Sequence, residues 1–242
     1  MRIHLPFAAL AAVLLASASS LAAQPVELSI PGYVTHEPGR EQGEELNTGV
    51  SLMLEGKPAE AEKVFTKIIN AYEKSHDPAV PYRCAYSTDA KRTVEHAIKQ
   101  LGGKKFILGS DVWCAALWGK GFVLIDLGRS SEAGQYLARS VEMAPMNAHF
   151  INEYAEWYKP QRQWQNSYKL FERAWQTVDR DVKGPERKVA ARALRGMAFN
   201  QIEMGDLDQA EHFLKLSLDY EPEAAAKVKG ELDYIAQQRA KK

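Results

Sequence analysis

The feature that most constrains this chain is a spacing of small residues that recurs along it. In the stretch LGRSSEAGQYLARSVEMAP, Ala133 lies five residues after Gly128, four before Leu137 and twelve after another small residue, Gly121. Small residues twelve apart allow two helices joined by a tight turn to approach closely, and a large residue one turn later lies on the same helical face. Glycine suits the turn itself, where a Cβ is costly. The stretch therefore predicts a helical hairpin.

The same spacing occurs four times, which predicts a row of stacked hairpins. The four copies contain Gly49, Gly56, Ala61 and Phe65; Gly121, Gly128, Ala133 and Leu137; Ala155, Ser167 and Phe171; and Ala198, Gly205, Ala210 and Leu214. Pro145 and Pro222 follow the second and fourth copies, where a helix that ends tolerates a missing N–H. The third copy departs from the pattern because Arg162 replaces the turn glycine.

This pattern resembles the tetratricopeptide repeat (TPR), a helix–turn–helix unit of about 34 residues. The resemblance implies an all-α fold, a right-handed α-solenoid of about four TPR-like hairpins. Val228, Leu232 and Ile235 fall on one face of a last helix, as expected of a helix that shields the terminal repeat from water. The predicted solenoid covers 42–242, with repeats at about 42–75, 114–147, 148–181 and 191–224, an insertion at about 76–113 and a capping helix at about 223–239.

The insertion between the first two copies admits two interpretations. Ala85 and Ala97 keep the twelve-residue spacing, which is consistent with a degenerate fifth repeat. However, Ser-Thr-Asp at 87–89 resembles a helix start. The alternative is an irregular loop, a helix over about 89–101 and a stop at Gly102-Gly103.

The amino-terminal residues predict export to the periplasm or the cell exterior. Arg2 precedes an apolar run, Phe7–Leu15, that is too short to span a bilayer comfortably, and Ser20-Leu21-Ala22 is a small-x-small cleavage signature. We therefore interpret residues 1–22 as a removable signal peptide. Residues 23–41 are predicted to form an extended arm with a strand-like alternation at 26–30. No later segment predicts membrane insertion of the mature chain.

Charge and cysteine content narrow the function classes further. Lysine plus arginine and aspartate plus glutamate each number 31, and this balance argues against a nucleic-acid-binding protein. The only cysteines, Cys84 and Cys114, favour a disulfide in an exported chain, worth about 3.7 kcal/mol in the chain-entropy model. The alternative is a pair of buried thiols.

The resemblance also implies where a partner would bind. In the family, first-helix residues three before, one after and four after the small residue line a concave face, and these spacings share one helical stripe. We expect a protein or peptide partner there, with Arg195 holding a carboxylate by paired hydrogen bonds. The alternative is that the stripe is core, or is covered by the arm or the insertion. The predicted contact residues are Trp118, Phe122, Asn152, Glu156, Lys159, Arg195 and Phe199.

No set of residues predicts an enzyme, a cofactor or a metal site. His149 and Glu153 are four apart on a predicted helix and could seat a metal or a proton relay, but the sequence supplies no further ligands. Trp157 and Trp175 could be contact anchors or carbohydrate platforms, although tryptophan at helical spacing is more often core.

These observations favour an exported, non-enzymatic module that binds protein or peptide partners through its concave face. One alternative is a structural subunit that assembles with itself in an envelope complex. Another is a small enzyme or carbohydrate-binding protein that uses the tryptophan-rich middle of the chain.

Overall fold

The computed structural model describes residues 33–36, 40–85, 90–179 and 183–241. The chain divides into two compact units, Met1–Gly128 and Arg129–Lys242. The predicted signal peptide and the strand-like alternation at 26–30 lie outside the described residues. Within the described ranges, every helix is too short or too polar to cross a bilayer.

The first unit combines helices with a small sheet. Its elements are β1 (Tyr33–His36), α1 (Arg40–Leu54), α2 (Pro58–Ser75), β2 (Tyr82–Cys84), α3 (Ala90–Leu101), β3 (Phe106–Gly109) and α4 (Val112–Asp126). Helices α1 and α2 form the first hairpin, and α4 packs against both. Phe65 of α2 requires glycine on both neighbours, because a Cβ at Gly49 of α1 or Gly119 of α4 would lie 2.6 Å from its ring.

The segment between α2 and α4 folds as strand, helix and strand rather than as another helical hairpin. Its three-stranded sheet has the order β1-β3-β2, and β3 pairs with both neighbours in parallel. Helix α3 buries Val94 and Ala97 against Phe106 of the central strand. It ends before Gly102 and Gly103, both of which have positive φ. The chain after α3 forms the central strand β3 instead of the second helix of a hairpin, so a degenerate fifth repeat is not formed here.

Aromatic packing and a disulfide hold this segment on the helices. Tyr72 stacks on Trp113 with ring centroids 5.2 Å apart, and Tyr82 of β2 meets the same indole edge-on at 5.0 Å. Cys84, the last residue of β2, forms a disulfide with Cys114 of α4 across a Cα–Cα distance of 6.3 Å. The sheet is thus fixed covalently to a repeat helix.

The second unit consists of helices and the turns that connect them, with no strand among its described residues. It contains α5 (Ser130–Met143), α6 (Ala148–Tyr158), α7 (Trp164–Thr177), α8 (Glu186–Met204), α9 (Leu207–Tyr220), a 3-10 turn at Pro222–Ala224 and α10 (Ala225–Arg239). Helices α6 and α7 form one hairpin, α8 and α9 form the next, and α7 packs on α8. Helix α10 buries Val228 and Ile235 against α8 and α9, in the range predicted for a capping helix.

The turns between paired helices follow the predicted glycine positions. Gly56, Gly128 and Gly205 have φ values of 72°, 74° and 88°, the left-handed region that glycine adopts at low cost. In the third repeat Arg162 occupies this conformation with φ of 58°. That turn is therefore formed despite its sequence, and the packing of α6 on α7 must offset the backbone strain.

Candidate functional site

Four of the predicted contact residues meet on two neighbouring helices of the second unit. Glu156 and Lys159 belong to α6, and Arg195 and Phe199 belong to α8; we call these four residues the α6–α8 face. The Lys159 ammonium lies 4.1 Å from the centroid of the Phe199 ring and 2.8 Å from the Glu156 carboxylate. All four side chains are half-buried. The face therefore combines one aromatic ring, with a cation over it, and charges of both signs.

Arg195 already holds a carboxylate of its own chain. Its Nη2 lies 2.7 Å from Oε2 of Glu221, which follows α9. Its other terminal nitrogen, Nη1, is buried and has no hydrogen-bond partner among the described residues. The predicted carboxylate-binding role is thus partly occupied by a carboxylate of the same chain, and the two N–H groups of Nη1 are buried beside it.

Helix α10 brings a further carboxylate to this face. Burial raises the pKa of Glu231, while the positive charges of Lys227, Arg195 and Lys159 act in the opposite direction and only partly offset it. Glu231 is therefore poorly solvated and lies within electrostatic range of two cations of the α6–α8 face.

Beneath the face, a buried ion pair ties α6 to α8. Arg192 donates a hydrogen bond to the Glu153 carboxylate, and its Nε lies 3.9 Å from Oε1 of Glu156. Burial by itself would raise the pKa of Glu153, but the guanidinium of Arg192 and the neighbouring His149 outweigh it, and the pKa lies below its usual value. Burial is also the main reason why the pKa of His149 is lowered. Glu153 is thus held as a carboxylate in a buried ion pair with Arg192.

His149 and Glu153 are not part of a metal site in the described part of the chain. No group of three or more histidine, cysteine, aspartate or glutamate side chains within 33–36, 40–85, 90–179 and 183–241 has the geometry to hold a metal ion.

Two predicted contact residues lie in the interior instead of on a surface. Asn152 is fully buried, and its Nδ2 donates a 3.0 Å hydrogen bond to the Val189 carbonyl in the first turn of α8. Trp118 of α4 is only 3% exposed, and Phe122 beside it is half-buried, with ring centroids 5.9 Å apart. Asn152 was predicted as a contact from its position on the stripe, but α8 crosses α6 at this point and covers it.

The tryptophans of the second unit have packing roles. Trp157 donates a 2.8 Å hydrogen bond to the Ser130 carbonyl, and its ring occupies the space where a Cβ on Gly134 would lie, 2.5 Å away. Trp175 meets Tyr220 edge-on with centroids 5.1 Å apart. These contacts favour the packing interpretation over a carbohydrate platform.

Sequence reasoning missed the carboxylates and the cation that set the charge of the face. Glu221 and Glu231 lie outside the first helices of the repeats, so the stripe spacing could not identify them. Arg192 offered a signal, because it lies three residues before Arg195 and hence on the same side of α8.

No family model matches the chain, and no curated protein matches it either. Solved structures do match. PilF of Pseudomonas aeruginosa aligns with a TM-score of 0.57 and 14% identity, over 83% of this chain and 69% of that one. MamA of Desulfovibrio magneticus RS-1 aligns at 0.56 and 13%, over 84% and 87%. A Podosopora anserina structure with nearly identical TPR-like repeats aligns at 0.59 and 12%, over 84% and 88%.

This chain has a TPR-like fold. The predicted all-α solenoid of TPR-like hairpins is confirmed by its helical hairpin packing and by these alignments. At such low identities the likeness concerns the fold alone.

Proposed function

We propose that this chain is an exported, non-enzymatic module that binds a protein or peptide segment on its α6–α8 face. The observation that carries the proposal is the arrangement of Lys159 over the Phe199 ring, with Glu156 and Arg195 beside it. Aromatic side chains and arginine are enriched in protein interfaces, and a few such residues supply most of the binding energy.

The chemistry of the face indicates which segment it would accept. The Phe199 ring and the alkyl part of Lys159 offer apolar contact area to a partner's aliphatic or aromatic side chain. The Arg195 guanidinium, although paired with Glu221, adds positive charge that favours a carbonyl or carboxylate of the partner. Because both signs of charge are present, the face would favour one orientation of the segment over its reverse.

Export rests on two observations that point to one compartment. The amino-terminal residues fit a secretory signal, and the disulfide between Cys84 and Cys114 is typical of oxidising environments. Both support a periplasmic or secreted location.

A site-specific crosslinking experiment tests this function. A photoreactive phenylalanine analogue would replace Lys159 in the tagged chain, expressed in its native host. The matched control places the analogue at Lys169, an exposed lysine of α7 outside the α6–α8 face. We expect adducts with one other protein from position 159 and none of that protein from position 169.

Affinity measurements with the captured protein complete the test. Lys159→Ala and Phe199→Ala should each weaken binding at least about tenfold, whereas Lys169→Ala should leave it unchanged. Equal labelling from both positions would contradict the proposal. Adducts that contain only two copies of this chain would replace it with the self-assembling subunit.

A further inference from the structure

Part of the insertion carries an excess of positive charge, although the charges of the whole chain balance. Residues 91–105 contain five basic side chains and one acidic side chain. That acid, Glu95, lies 4.0 Å from Lys91. Three exposed lysines, Lys99, Lys104 and Lys105, form no ion pair with any residue that the structure describes. We call these three residues the lysine edge.

The turn after α3 brings the lysine edge together at one end of the insertion. Lys99 lies in the last turn of α3, and Lys104 and Lys105 lead into β3. Between them the chain reverses through Gly102 and Gly103, and the Lys104 amide donates to the Leu101 carbonyl at 3.2 Å. Ile98 lies next to Lys99 and is 36% exposed, so one apolar side chain accompanies the charges.

The lysine edge also lies where the amino-terminal residues join the fold. The strands are parallel and therefore begin at the same edge of the sheet, with Tyr33 of β1 opposite Phe106 of β3. Tyr33, the first residue of β1, therefore lies at the sheet edge where Lys105 leads into β3.

We propose that the lysine edge binds the surface of a membrane rich in anionic phospholipids, without insertion. Lysine ammonium groups are point charges that suit phosphate groups, whereas none of the three side chains offers the planar fork that arginine uses for carboxylates. A Cβ on Gly102 or Gly103 would meet nothing within 4 Å, so the turn between the lysines is exposed. An exposed turn allows the three ammonium groups to approach a flat bilayer together, and Ile98 can enter the headgroup region.

This surface differs from the α6–α8 face and does not depend on the proposed function. It would hold the chain at a membrane whether or not a protein partner is bound to the second unit.

Vesicle binding tests the proposal on the chain that begins at Ala23, which keeps every described residue and removes the apolar run. The chain should sediment together with vesicles of phosphatidylglycerol and phosphatidylcholine in equal parts. It should stay in the supernatant with vesicles of phosphatidylcholine alone. The triple variant Lys99→Gln, Lys104→Gln, Lys105→Gln should bind the anionic vesicles about 100-fold more weakly, since each lysine near such a surface contributes about fivefold.

A matched variant separates a local site from overall charge. Lys63→Gln, Lys74→Gln, Lys169→Gln removes the same charge from three exposed lysines that are not part of the insertion. It should retain binding within a few-fold, and equal melting temperatures of the two variants would show that both are folded. Salt at about 1 M, where the Debye length falls to about 3 Å, should release the wild type.

Several results would overturn the proposal. They are an equal loss of vesicle binding in both triple variants, wild-type binding that does not change with salt concentration, and equal binding to anionic and neutral vesicles. Binding of soluble polyglutamate as tight as binding of anionic vesicles would assign the edge to an acidic protein segment instead.

Discussion

The hairpins of α6 to α9 and the segment between α2 and α4 differ in the contacts that hold each of them against neighbouring helices. The hairpins use local spacing: Ser167 donates a 2.9 Å hydrogen bond to the Ala155 carbonyl twelve residues earlier, and Asn200 donates to the same hydroxyl at 2.9 Å. The segment between α2 and α4 uses strand pairing and a disulfide. These contacts of the repeats join residues at repeat-related separations of 12 and 33, whereas no repeat spacing relates the residues that hold the insertion.

The largest expected effect tests the buried ion pair that joins two repeats. Arg192→Met leaves the Glu153 carboxylate buried without its cation, and removal of one partner of a buried pair costs about 3–5 kcal/mol. Denaturant unfolding measures this loss. The double variant Glu153→Leu, Arg192→Met should recover most of it, because no buried charge remains; a double variant as unstable as the single one would contradict this account.

Acidification should narrow the difference between wild type and Arg192→Met. The pKa of Glu153 is depressed in the folded chain, so its contribution is fully present above the ordinary value of 4.5 and is lost as the pH falls below it. In Arg192→Met, burial acts on Glu153 without the guanidinium, so protonation should stabilise the variant. Unfolding measured from neutral pH downwards tests both signs, and parallel curves would contradict the assignment.

Loss of the disulfide should have the next largest effect on stability, and only the insertion should become more dynamic. Cys84→Ala, Cys114→Ala should lose about 3.7 kcal/mol in the chain-entropy model. Hydrogen exchange should rise in β2, α3 and β3 and remain unchanged in α6 to α9. A reductant should have no effect on the variant, and faster exchange throughout the second unit would show that the insertion also stabilises the regular repeats.

Close helix packing inside the repeats gives a smaller effect. A Cβ at Gly196 of α8 would lie 2.5 Å from the Phe171 ring, so Gly196→Ala should cost about 1–3 kcal/mol of overpacking. The matched control is Gly230→Ala in α10, which meets nothing within 4 Å and should stabilise by about 0.5–1 kcal/mol. Phe171→Leu should relieve part of the first loss, and equal effects at both glycines would exclude the packing argument.

The smallest effect concerns the irregular turn of the third repeat. Arg162→Gly should raise stability by about 1 kcal/mol, because glycine adopts a φ of 58° without strain. Gly205→Ala, at the equivalent turn of the fourth repeat, should lower stability by a similar amount. Thermal melting of the two variants checks the signs, and a destabilised Arg162→Gly would mean that the arginine side chain itself supports the turn.

The repeats could be predicted from sequence because each of their requirements is local. The twelve-residue spacing of small residues specifies where two helices touch, and the turn glycines specify where the chain reverses. The insertion could not be predicted to the same depth. Its strands contain only three or four residues each, which is too short for a two-residue period to be distinguished from a helical one.

The candidate site divides in the same manner. Spacing on the first helices predicted that Glu156 and Lys159 of α6 and Arg195 and Phe199 of α8 line one concave face, and Lys159 does lie over the Phe199 ring. It also placed Asn152 there, although α8 buries that residue. A period within one helix specifies which side chains share a side, but says nothing about which neighbour covers them.

The sequence by itself thus determined the hairpins, their turns and the stripe of four residues, because helix geometry converts residue spacing directly into proximity. Only the tertiary structure decided that Glu221 pairs with Arg195 and that Arg192 pairs with Glu153 beneath the face. It also brought Glu231 near the charges of the face and placed β3 between two strands that are distant in sequence. Those contacts depend on where separate elements pack, and the free energy of such packing comes from pairs of residues that no local period relates.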